Sequence, residues 1–347
     1  MRDWKSSMFA TNELETGTGE GDGIDFVVTW VDGRDPEWLR QRNQYRPESE
    51  AVDNFSSVRF RDNGLLRYWF RGVEKFAPWV RKVHFVTWGH VPQWLDLNHE
   101  KLNVVRHVDF IPSDYLPTFS SHTIEFNLHR IETLAGKFVY FNDDMFLTAR
   151  TAPSDFFRNG LPCDCAIMKP VTMIDNGIRA EINNMYVINR QFEKRQVLLR
   201  HWQKFFALRY GCKMLSTLLM LPYRGIPGFW VRHLPCAYLK SSFETVWQKE
   251  FCVIDKCCRH KFRHETDVNH WLIEYYQYAL GIFEPISPNV GKAFEGAADM
   301  GRMINAVLSG AYKMICCNDA ADITDNSSLQ EAFAQVFPAK STWEKDA

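Results

Sequence analysis

The sequence predicts an α/β fold, in which a mostly parallel sheet is flanked by helices and a helical elaboration occupies the second half of the chain. Apolar runs rich in β-branched and aromatic residues alternate with segments of helical periodicity from residue 24 to residue 141, which is the pattern of strands joined by crossover helices. Beyond residue 150 the alternation weakens and helical periodicity dominates. A chain of 347 residues with 46% hydrophobic content can build the core that such a fold needs.

The first strand is predicted over residues 24–31, where the run IDFVVTWV is closed by Asp32 and Gly33. A helix is predicted over 65–76, because apolar residues recur at three- and four-residue intervals until Pro78. Residues 83–87 and 103–108 are predicted as the next two strands.

A helix over 120–134 and a strand over 137–141 follow in the same alternation. In the second half, the periodicity predicts helices over 190–221 and 271–280 and a strand over 312–317 that ends in Asn318-Asp319. A final helix is predicted over 328–336 and begins with a Ser328-x-x-Glu331 capping box.

Asn142, Asp143 and Asp144 follow the buried strand KFVYF directly, and two carboxylates at a strand end require a partner. One interpretation is a divalent cation that carries a phosphate-bearing substrate; the other is an ordinary turn, because Asn and Asp are turn formers. Asp32 is a second acid at a strand end. Since ligands bind at the carboxyl ends of parallel strands, the pair of acidic ends favours the functional interpretation.

The composition limits which binding partners and which cellular compartment we expect for the protein. A net charge of −1 argues against a nucleic-acid binder driven by bulk electrostatics. Residues 1–22 are polar, without a basic and then apolar region typical of a secretory signal, and we expect a disordered tail there. The expected compartment is the cytoplasm, with residues 23–347 forming a single catalytic domain. Within this domain we expect an α/β part over 23–150, a largely helical part over 151–310, and a strand and helix over 311–347 that return to the core.

The nine cysteines are odd in number, and their spacing is not that of a secreted disulfide framework, which favours reduced thiols. A zinc site is the alternative for one cluster, although the cluster lacks a paired C-x-x-C knuckle. Its members are Cys252, Cys257, Cys258, His260 and His264.

Two basic segments are candidates for anion binding. Arg59, Arg61 and Asn63 precede the 65–76 helix, whose free backbone N–H groups favour an anion, whereas the alternative is a solvated helix start with Asp62 as its cap. Arg263 lies in a basic stretch before the helix that opens near Asp267, and is a candidate phosphate clamp or part of an exposed charged turn.

Two further candidates could move protons. Glu125, His129 and Glu132 are spaced to share one face of the 120–134 helix, with a surface ion-pair stripe as the alternative, favoured for Glu125. His233 follows a Gly- and Pro-rich stretch, and in such a loop an imidazole could reach a substrate hydroxyl as a general base, although most single histidines have no such role.

Four stretches of the chain resemble the conserved blocks of the Stealth family. This family comprises hexose-1-phosphate transferases that build phosphodiester-linked capsular polysaccharides in bacteria, and it includes the animal lysosomal-enzyme N-acetylglucosamine-1-phosphotransferase. The stretches are IDFVVTWVDG (24–33); RFRDNGLLRYWFRGVEKFAPWVRKVHFVTWGHVPQWL (59–95) continued by LPTFSSHTIEFNLHRIETLAGKFVYFNDDMFL (116–147); RHLPCAYLKSSFE (232–244) with KFRHETDVN (261–269); and YKMICCNDAADITD (312–325) with FPAKSTWEK (337–345).

The resemblance implies a Rossmann-type core like that of nucleotide-sugar transferases, with residues 23–150 as the nucleotide-sugar-binding part. It also implies a defined reaction. A sugar hydroxyl of an oligosaccharide or polysaccharide acceptor attacks the sugar-linked phosphate of a UDP-activated hexose or N-acetylhexosamine. UMP leaves, and a sugar-phosphate-sugar diester of a capsular or exopolysaccharide forms. No nucleic acid takes part, and peripheral association with capsule machinery at the inner membrane is compatible with a chain that shows no anchor.

The resemblance also implies roles for individual residues. Asp143 and Asp144 would lie at Mg²⁺ or Mn²⁺, and Asn142 at the donor diphosphate, with Asp32 and Glu132 nearby as catalytic candidates. His233 would be the general base and Arg263 a phosphate clamp. The remaining candidates for substrate contact are Arg59, Arg61, Asn63 and His129.

Three residues depart from the family pattern, namely Gly64, Trp88 and His90, and they bear on which sugar is bound. Two other functions remain alternatives. A conventional glycosyltransferase would use the same strand-end acids and the same UDP-sugar but release UDP. A non-catalytic nucleotide-sugar-binding protein would keep the fold without the reaction.

Overall fold

A computed structural model describes residues 23–46, 63–172, 178–318 and 325–345. The strands are β1 Ile24–Trp30, β2 Val83–Thr87, β3 Leu102–Arg106, β4 Lys137–Asn142, β5 Met145–Leu147, β6 Phe157–Arg158, β7 Leu161–Asp164, β8 Cys236–Leu239, β9 Glu284–Pro285, β10 Gly291–Glu295 and β11 Met314–Asn318. The helices are α1 Pro36–Gln44, α2 Leu66–Phe76, α3 His107–Phe110, α4 Ser121–Asn127, α5 Arg179–Gln191, α6 Lys194–Phe205, α7 Met214–Leu219, α8 Lys240–Arg259, α9 Trp271–Leu280, α10 Met300–Ser309 and α11 Ser327–Val336.

The central sheet has five strands in the order β3-β2-β1-β4-β8. The first four are parallel, and β8 pairs with β4 in the antiparallel direction. The register places Thr29 beside Asn142 and Trp30 beside Thr87. The carboxyl ends of β1, β2 and β4 therefore lie at one edge of the sheet, where α/β proteins bind their ligands.

Both faces of the central strands β1, β2 and β4 are buried, which explains why these strands are mostly apolar in sequence. On β1, Phe26 and Val28 pack into the core covered by α2, α10 and α11. Val27, on the opposite face, packs into the core covered by α4, α5, α8 and α9. The predicted α/β fold with a mostly parallel, helix-covered sheet is confirmed.

A second sheet, in the order β10-β11-β5, begins where the central sheet ends. β11 is parallel to β10 and antiparallel to β5. Because β4 ends at Asn142 and β5 begins at Met145, Asp143 and Asp144 are the whole connection between these two strands and join the two sheets directly. A third sheet, β6-β7-β9, lies beside them.

Most of the predicted elements are confirmed, and three predictions need correction. The strand predicted over 103–108 ends at Arg106, because the Asp109 carboxylate accepts a hydrogen bond from the Arg106 N–H (2.8 Å) and α3 begins. The helix predicted over 120–134 ends at Asn127 and continues only as a 3₁₀ turn over Leu128–Arg130. The Asn127 side chain donates to the Thr123 carbonyl (2.8 Å), the backbone competition that disfavours helix interiors.

The capping box predicted at Ser328 is the third correction. α11 begins at Ser327, whose N–H and hydroxyl both donate to the Asp325 carboxylate at 2.8 Å.

β5 was not predicted, because a strand of three residues is too short to show a periodicity in the sequence. The three-part division of the chain stays a prediction, and the predicted tail over 1–22 lies outside the described residues. Within the described ranges, no helix has the length and apolarity that crossing a bilayer requires.

The C-terminal segment is fastened to α2 by a largely buried ion pair. Arg71 donates to both carboxylate oxygens of Glu344 (2.6 and 2.8 Å) and to the Phe337 carbonyl (2.7 Å). Glu344 also accepts from the Ser341 N–H (3.0 Å). A carboxylate that is paired in this way on both oxygens is costly to neutralise, since the guanidinium would remain buried without its charge partner.

We expect Glu344→Gln to lower the free energy of unfolding by about 3 kcal/mol, because it leaves the buried Arg71 charge uncompensated. Urea titration followed by circular dichroism measures the change. Glu331→Gln, an exposed substitution on α11, is the matched control and should change it by less than about 0.5 kcal/mol. Equal stability of Glu344→Gln and the control would contradict the structural role of the pair.

Candidate functional site

The connection between the two sheets carries a cluster of polar groups. One ligand atom each from Asp144, His233 and Cys316 lies within 4.8 Å of the others. The Cys317 N–H donates to the Asp144 carbonyl (2.9 Å), and the Cys316 thiol donates to its carboxylate oxygen Oδ2 (3.4 Å). Burial raises the pKa of the Cys316 thiol well above its usual value, so Cys316 is a neutral donor to Asp144 at neutral pH.

His233 is held at this cluster by its neighbour in the chain. The Arg232 guanidinium and the Asp164 carboxylate form a buried ion pair at 2.6 Å, which fastens the segment to the end of β7. His233 itself adopts a left-handed backbone conformation with φ of 52°. Such a conformation is uncommon outside glycine and is maintained only when its surroundings enforce it. Its ring lies 6.1 Å from that of Trp271 on α9.

The Tyr140 hydroxyl connects the end of β4 to α4. It donates to Asn142 Oδ1 (2.7 Å) and lies 3.2 Å from Thr29 Oγ1 and 3.4 Å from a Glu125 oxygen. The other Glu125 oxygen contacts His270 Nδ1 at 2.9 Å. This chain of contacts orients the Asn142 side chain beside the two acids that follow it.

Glu125 is a buried carboxylate with positive groups around it. Burial alone would raise its pKa, but the charge and hydrogen bond of His270, with the charges of His122 and Arg263, outweigh burial and hold the pKa at about 2. Glu125 is therefore ionised at neutral pH. The prediction that Glu125 belongs to a surface ion-pair stripe is wrong, because α4 turns it into the protein against β4.

Arg263 lies close to these groups. Its guanidinium donates to Ser121 Oγ (2.7 Å) at the start of α4, and its charge contributes to the low pKa of Glu125. Burial, aided by the negative charges of Glu125 and Asp143, raises the pKa of Tyr140 well above its usual value, and Arg263 opposes this effect. Arg263 thus shares one electrostatic environment with the groups at the end of β4.

Asp32 takes part in a turn after β1. Its carboxylate accepts from the Arg34 N–H (2.9 Å), and its own N–H donates to His90 Nε2 (2.7 Å). Burial lowers the pKa of His90 despite the opposing charges of Asp35 and Asp32, so the ring is a neutral acceptor. Trp88 donates to Gln41 Oε1 (2.9 Å) on α1. Trp88 and His90 thus fasten the β1 and β2 ends and α1 together.

Several predicted site residues lie apart from this cluster. His129 packs between the rings of Phe243 and Trp247 of α8. Glu132 is exposed on the turn before β4, and the face that it was predicted to share with Glu125 does not exist because α4 ends at Asn127. Asn63 accepts hydrogen bonds from α11 and its cap, at Oδ1 from Asn326 (2.8 Å) and at its carbonyl from Gln330 (2.7 Å). Arg59 and Arg61, with Asp62 and Asp319, lie outside the described residues.

Sequence reasoning missed Tyr140 and His270 as members of the site. For Tyr140 a signal exists, because side chains two apart on a strand share a face and Tyr140 precedes Asn142 by two. His270 carries no comparable local signal. Only the fold brings it, as the residue that precedes α9, to Glu125 on α4.

Among the described residues, three groups of His, Cys and Asp side chains are close enough to hold a metal ion. Two of them share Asp267, with His122 and Cys257 on one side and His260 and His264 on the other. The Asp267 carboxylate already accepts from the His264 N–H (2.8 Å) and contacts His260 Nδ1 (2.6 Å) and His122 Nδ1 (3.3 Å). Its hydrogen bonds are complete without a cation, so this group has a structural explanation. Of the other cysteines considered for zinc, Cys252 is exposed and Cys258 instead contacts the Asn127 side chain.

Comparison with known proteins supplies a family context for this geometry. Residues 22–50 match the model of Stealth protein CR1, conserved region 1, and residues 59–163 match that of Stealth protein CR2, conserved region 2. The chain is 41% identical over 328 residues to the capsular polysaccharide phosphotransferase WcwK of Streptococcus pneumoniae. The aligned region covers 93% of this chain and 98% of that protein.

Two further relatives match over similar lengths. The exopolysaccharide phosphotransferase cps2G of Lactiplantibacillus plantarum is 40% identical over 93% of this chain and 96% of its own. The receptor polysaccharide phosphotransferase WefC of Streptococcus gordonii is 40% identical over 92% of this chain and 98% of its own. The solved structure of the galactosyltransferase LgtC aligns over 92% of this chain and 96% of that one with 9% identity and a TM-score of 0.40, which is too low to compare the two sites.

The position of His129 predicts how stability depends on pH. Burial, with the charge of Arg130, lowers its pKa to about 4, whereas the unfolded chain has the ordinary value of about 6.5. The unfolded chain therefore binds a proton more readily between these values, and stability decreases as the pH falls through this interval. From pH 7 to pH 5 this residue should remove about 2 kcal/mol from the free energy of unfolding.

Urea titrations of the wild type and of His129→Phe at both pH values measure this contribution. Phenylalanine keeps an aromatic ring against Phe243 and Trp247 but cannot titrate, so the loss between pH 7 and pH 5 should be about 2 kcal/mol smaller in the variant. An equal loss in both proteins would mean that His129 is accessible to solvent, as a substrate-contacting residue would be.

Proposed function

The chain belongs to the Stealth family, and from that membership we propose that it transfers a sugar-1-phosphate from a UDP-sugar to a sugar hydroxyl and releases UMP. The product is a phosphodiester-linked capsular polysaccharide or exopolysaccharide, in keeping with the names of the three relatives. The observation that carries the proposal is the approach of His233 to Asp144 where the two sheets join. A proton acceptor beside a carboxylate is the arrangement that a hydroxyl attack on a phosphate requires.

In the proposed reaction, the acceptor hydroxyl oxygen forms a bond to the sugar-linked phosphorus of the donor. The bond between that phosphorus and the oxygen that bridges to the second phosphate breaks, and the bridging oxygen leaves with UMP. The hydroxyl proton passes to the imidazole of His233, for which a histidine is suited because its ordinary pKa lies near neutral. The constrained backbone of His233, anchored through Arg232, would hold the ring in position for this transfer.

Asp143 and Asp144 are the residues that we propose to hold Mg²⁺ or Mn²⁺. Their carboxylate oxygens are the donors that these hard cations prefer, and the neutral Cys316 thiol leaves the oxygen chemistry of the site unchanged. When bound, the cation would neutralise the charge of the donor diphosphate. Asn142, oriented by the Tyr140 hydroxyl, would contact the same diphosphate.

Arg263 is the proposed phosphate clamp. Its hydrogen bond to Ser121 and its effect on the pKa of Glu125 support a position beside the end of β4. A guanidinium presents paired donors that match phosphate oxygens, and its positive charge would stabilise the charge that develops on the transferred group. Arg59, Arg61 and Asn63 remain proposed donor contacts on the family resemblance alone, and Asp32 remains a proposed site residue at the end of β1.

His129 and Glu132 are left out of the proposal, because His129 lies within the α8 packing and Glu132 is exposed on a turn. Glu125 replaces them as a positioning residue. Its ionised carboxylate orients His270 and contacts the Tyr140 hydroxyl, so it would act on the donor through Tyr140 and Asn142.

The proposed compartment is the cytoplasm. All nine cysteines are free thiols in the described structure, which suits a reducing environment. The proposed partners are a UDP-sugar donor and an oligosaccharide or polysaccharide acceptor, without nucleic acid.

The leaving nucleotide separates the proposal from a conventional glycosyltransferase. Purified protein incubated with UDP-N-acetylglucosamine, or with a panel of UDP-sugars, and a capsule oligosaccharide should release UMP, and chelation of divalent cations should stop the release. Ion-exchange chromatography of the nucleotides measures both. UDP as the nucleotide product, with the sugar attached directly to the acceptor, would contradict the proposal.

Substitution of the two central residues tests the site. We expect Asp144→Asn to lower kcat by at least about a thousandfold and His233→Asn by about a hundred- to ten-thousandfold, because each removes charge stabilisation or proton transfer in the transition state. Asparagine tolerates the left-handed conformation at position 233, so the loop should keep its shape.

Three measurements accompany these rates. Calorimetric titration measures the affinity for the UDP-sugar in the presence of Mn²⁺. This affinity should be lower in Asp144→Asn and unchanged in His233→Asn, because only the first variant removes a proposed cation ligand. Urea unfolding checks that both variants fold, and the matched control is Asp114→Asn, an exposed carboxylate elsewhere. Wild-type turnover by either folded variant would exclude its proposed role, and wild-type turnover by both would favour a different site.

A further inference from the structure

A segment of the helical elaboration presents large apolar side chains to solvent. We call it the α6–α7 face and define it by five residues that are each more than half exposed: Leu199, Trp202, Leu208, Leu215 and Leu219. Leu208 is 88% exposed and Leu219 is 70% exposed, values typical of charged surface residues and unusual for leucine. These residues follow one another through α6, the connecting turn and α7, so exposed apolar side chains are concentrated in this one segment of the chain.

α7 is oriented opposite to the usual rule for a surface helix. Its polar residues face inward, where the Ser216 hydroxyl donates to the Met168 carbonyl (2.7 Å) and Thr217 Oγ1 accepts from the Met168 N–H (3.0 Å). Leu215, Leu218 and Leu219, at three- and four-residue intervals, face outward. The polar side chains of this helix are hydrogen-bonded inside the protein, whereas its leucines face solvent. Contact with an apolar environment would therefore stabilise its apolar side.

Lys194 joins the two helices that carry this face. Its side chain is buried, and its ammonium group donates to the carbonyls of Met220 (2.9 Å) and Leu221 (3.0 Å) and to that of Tyr223. The start of α6 is thereby fastened to the chain just after α7, where Leu221 and Tyr223 are also exposed. The two helices that carry the apolar residues are therefore joined by hydrogen bonds.

The segment that carries the face is basic, although Glu284 of β9 pairs with Lys204 of α6 at 3.7 Å. From residue 194 to residue 243 the sequence contains no Asp or Glu. Exposed arginines alternate with the apolar residues, namely Arg195, Arg200, Arg209 and Arg224. Leucine and tryptophan interspersed with arginine, without acidic residues, is the composition of segments that lie in a membrane interface, where cations meet anionic headgroups and apolar side chains enter the acyl boundary.

We propose that the α6–α7 face docks the protein on the surface of an anionic phospholipid bilayer. The arginines provide charge complementarity to the headgroups, and the leucines and Trp202 supply the apolar contact that fixes the protein at the interface. The face is also joined to the proposed site, because Met168, which anchors α7, pairs with Phe229, four residues before His233. The inference rests on the surface alone and does not require the proposed reaction.

Vesicle flotation tests the proposal directly. The full-length protein should float with vesicles of phosphatidylglycerol and phosphatidylcholine but not with pure phosphatidylcholine, and high salt should weaken the binding. The variant Leu215→Ser/Leu218→Ser/Leu219→Ser should bind at least about tenfold more weakly, since each buried leucine contributes at about this level. Arg195→Gln/Arg209→Gln/Arg224→Gln should reduce binding and remove most of its dependence on phosphatidylglycerol.

The matched control is Leu97→Ser/Val108→Ser/Leu308→Ser, which removes three exposed apolar residues from other parts of the surface and should bind like the wild type. Urea unfolding confirms that each variant is folded. The release of UMP with a soluble acceptor should be unchanged in the α7 variant and in the arginine variant. Absence of wild-type binding to phosphatidylglycerol vesicles, or equal binding by the α7 variant, overturns the proposal. A concentration-dependent dimer that the α7 variant abolishes, without vesicle binding, would also overturn it and assign the face to a second copy of the chain.

Discussion

The two-residue connection between β4 and β5 is the constraint on which the rest of the structure depends. Asp143 and Asp144 form a two-residue turn that leaves the central sheet and enters the second sheet, so the strands on either side fix the position of their backbone. The second sheet holds the connection through the hydrogen bond from the Cys317 N–H to the Asp144 carbonyl. The backbone thus places two carboxylates at a polar junction, where the Cys316 thiol also donates to Asp144.

The groups around this junction arrive from distant parts of the chain, each fastened by a buried polar contact. Arg232 and Asp164 place His233, and Glu125 with His270 places the Tyr140 hydroxyl and through it Asn142. Buried pairs of this kind contribute little net stability, because desolvation offsets their attraction, and are better understood as devices that specify one arrangement. The chemistry of phosphate transfer, which depends on positioning and charge, suits such a scaffold.

The sequence predicted the parallel core well, because β1, β2 and β4 are buried on both faces and mostly apolar, although Asp25 and His84 are buried inside them. It also identified the strand-end acids. It failed where a local hydrogen bond overrode periodicity, as at Asn127, which ends α4 and separates Glu125 from Glu132. The sequence could not predict the burial of Glu125 either, because the main partner of its carboxylate, His270, lies 145 residues away in the chain. Leucines that face solvent on α7 are likewise invisible to a method that assumes apolar residues face inward.

The central claim is that the junction acids and His233 serve the transfer of a phosphate together with its sugar. The most direct measurement uses UDP-N-acetylglucosamine, or the donor that the protein selects, with radioactive phosphorus in the sugar-linked phosphate only. After incubation with a capsule oligosaccharide, the account predicts that the label is found in the oligosaccharide and is absent from the released nucleotide. Label that leaves with the nucleotide as UDP, while the sugar joins the oligosaccharide, would contradict it.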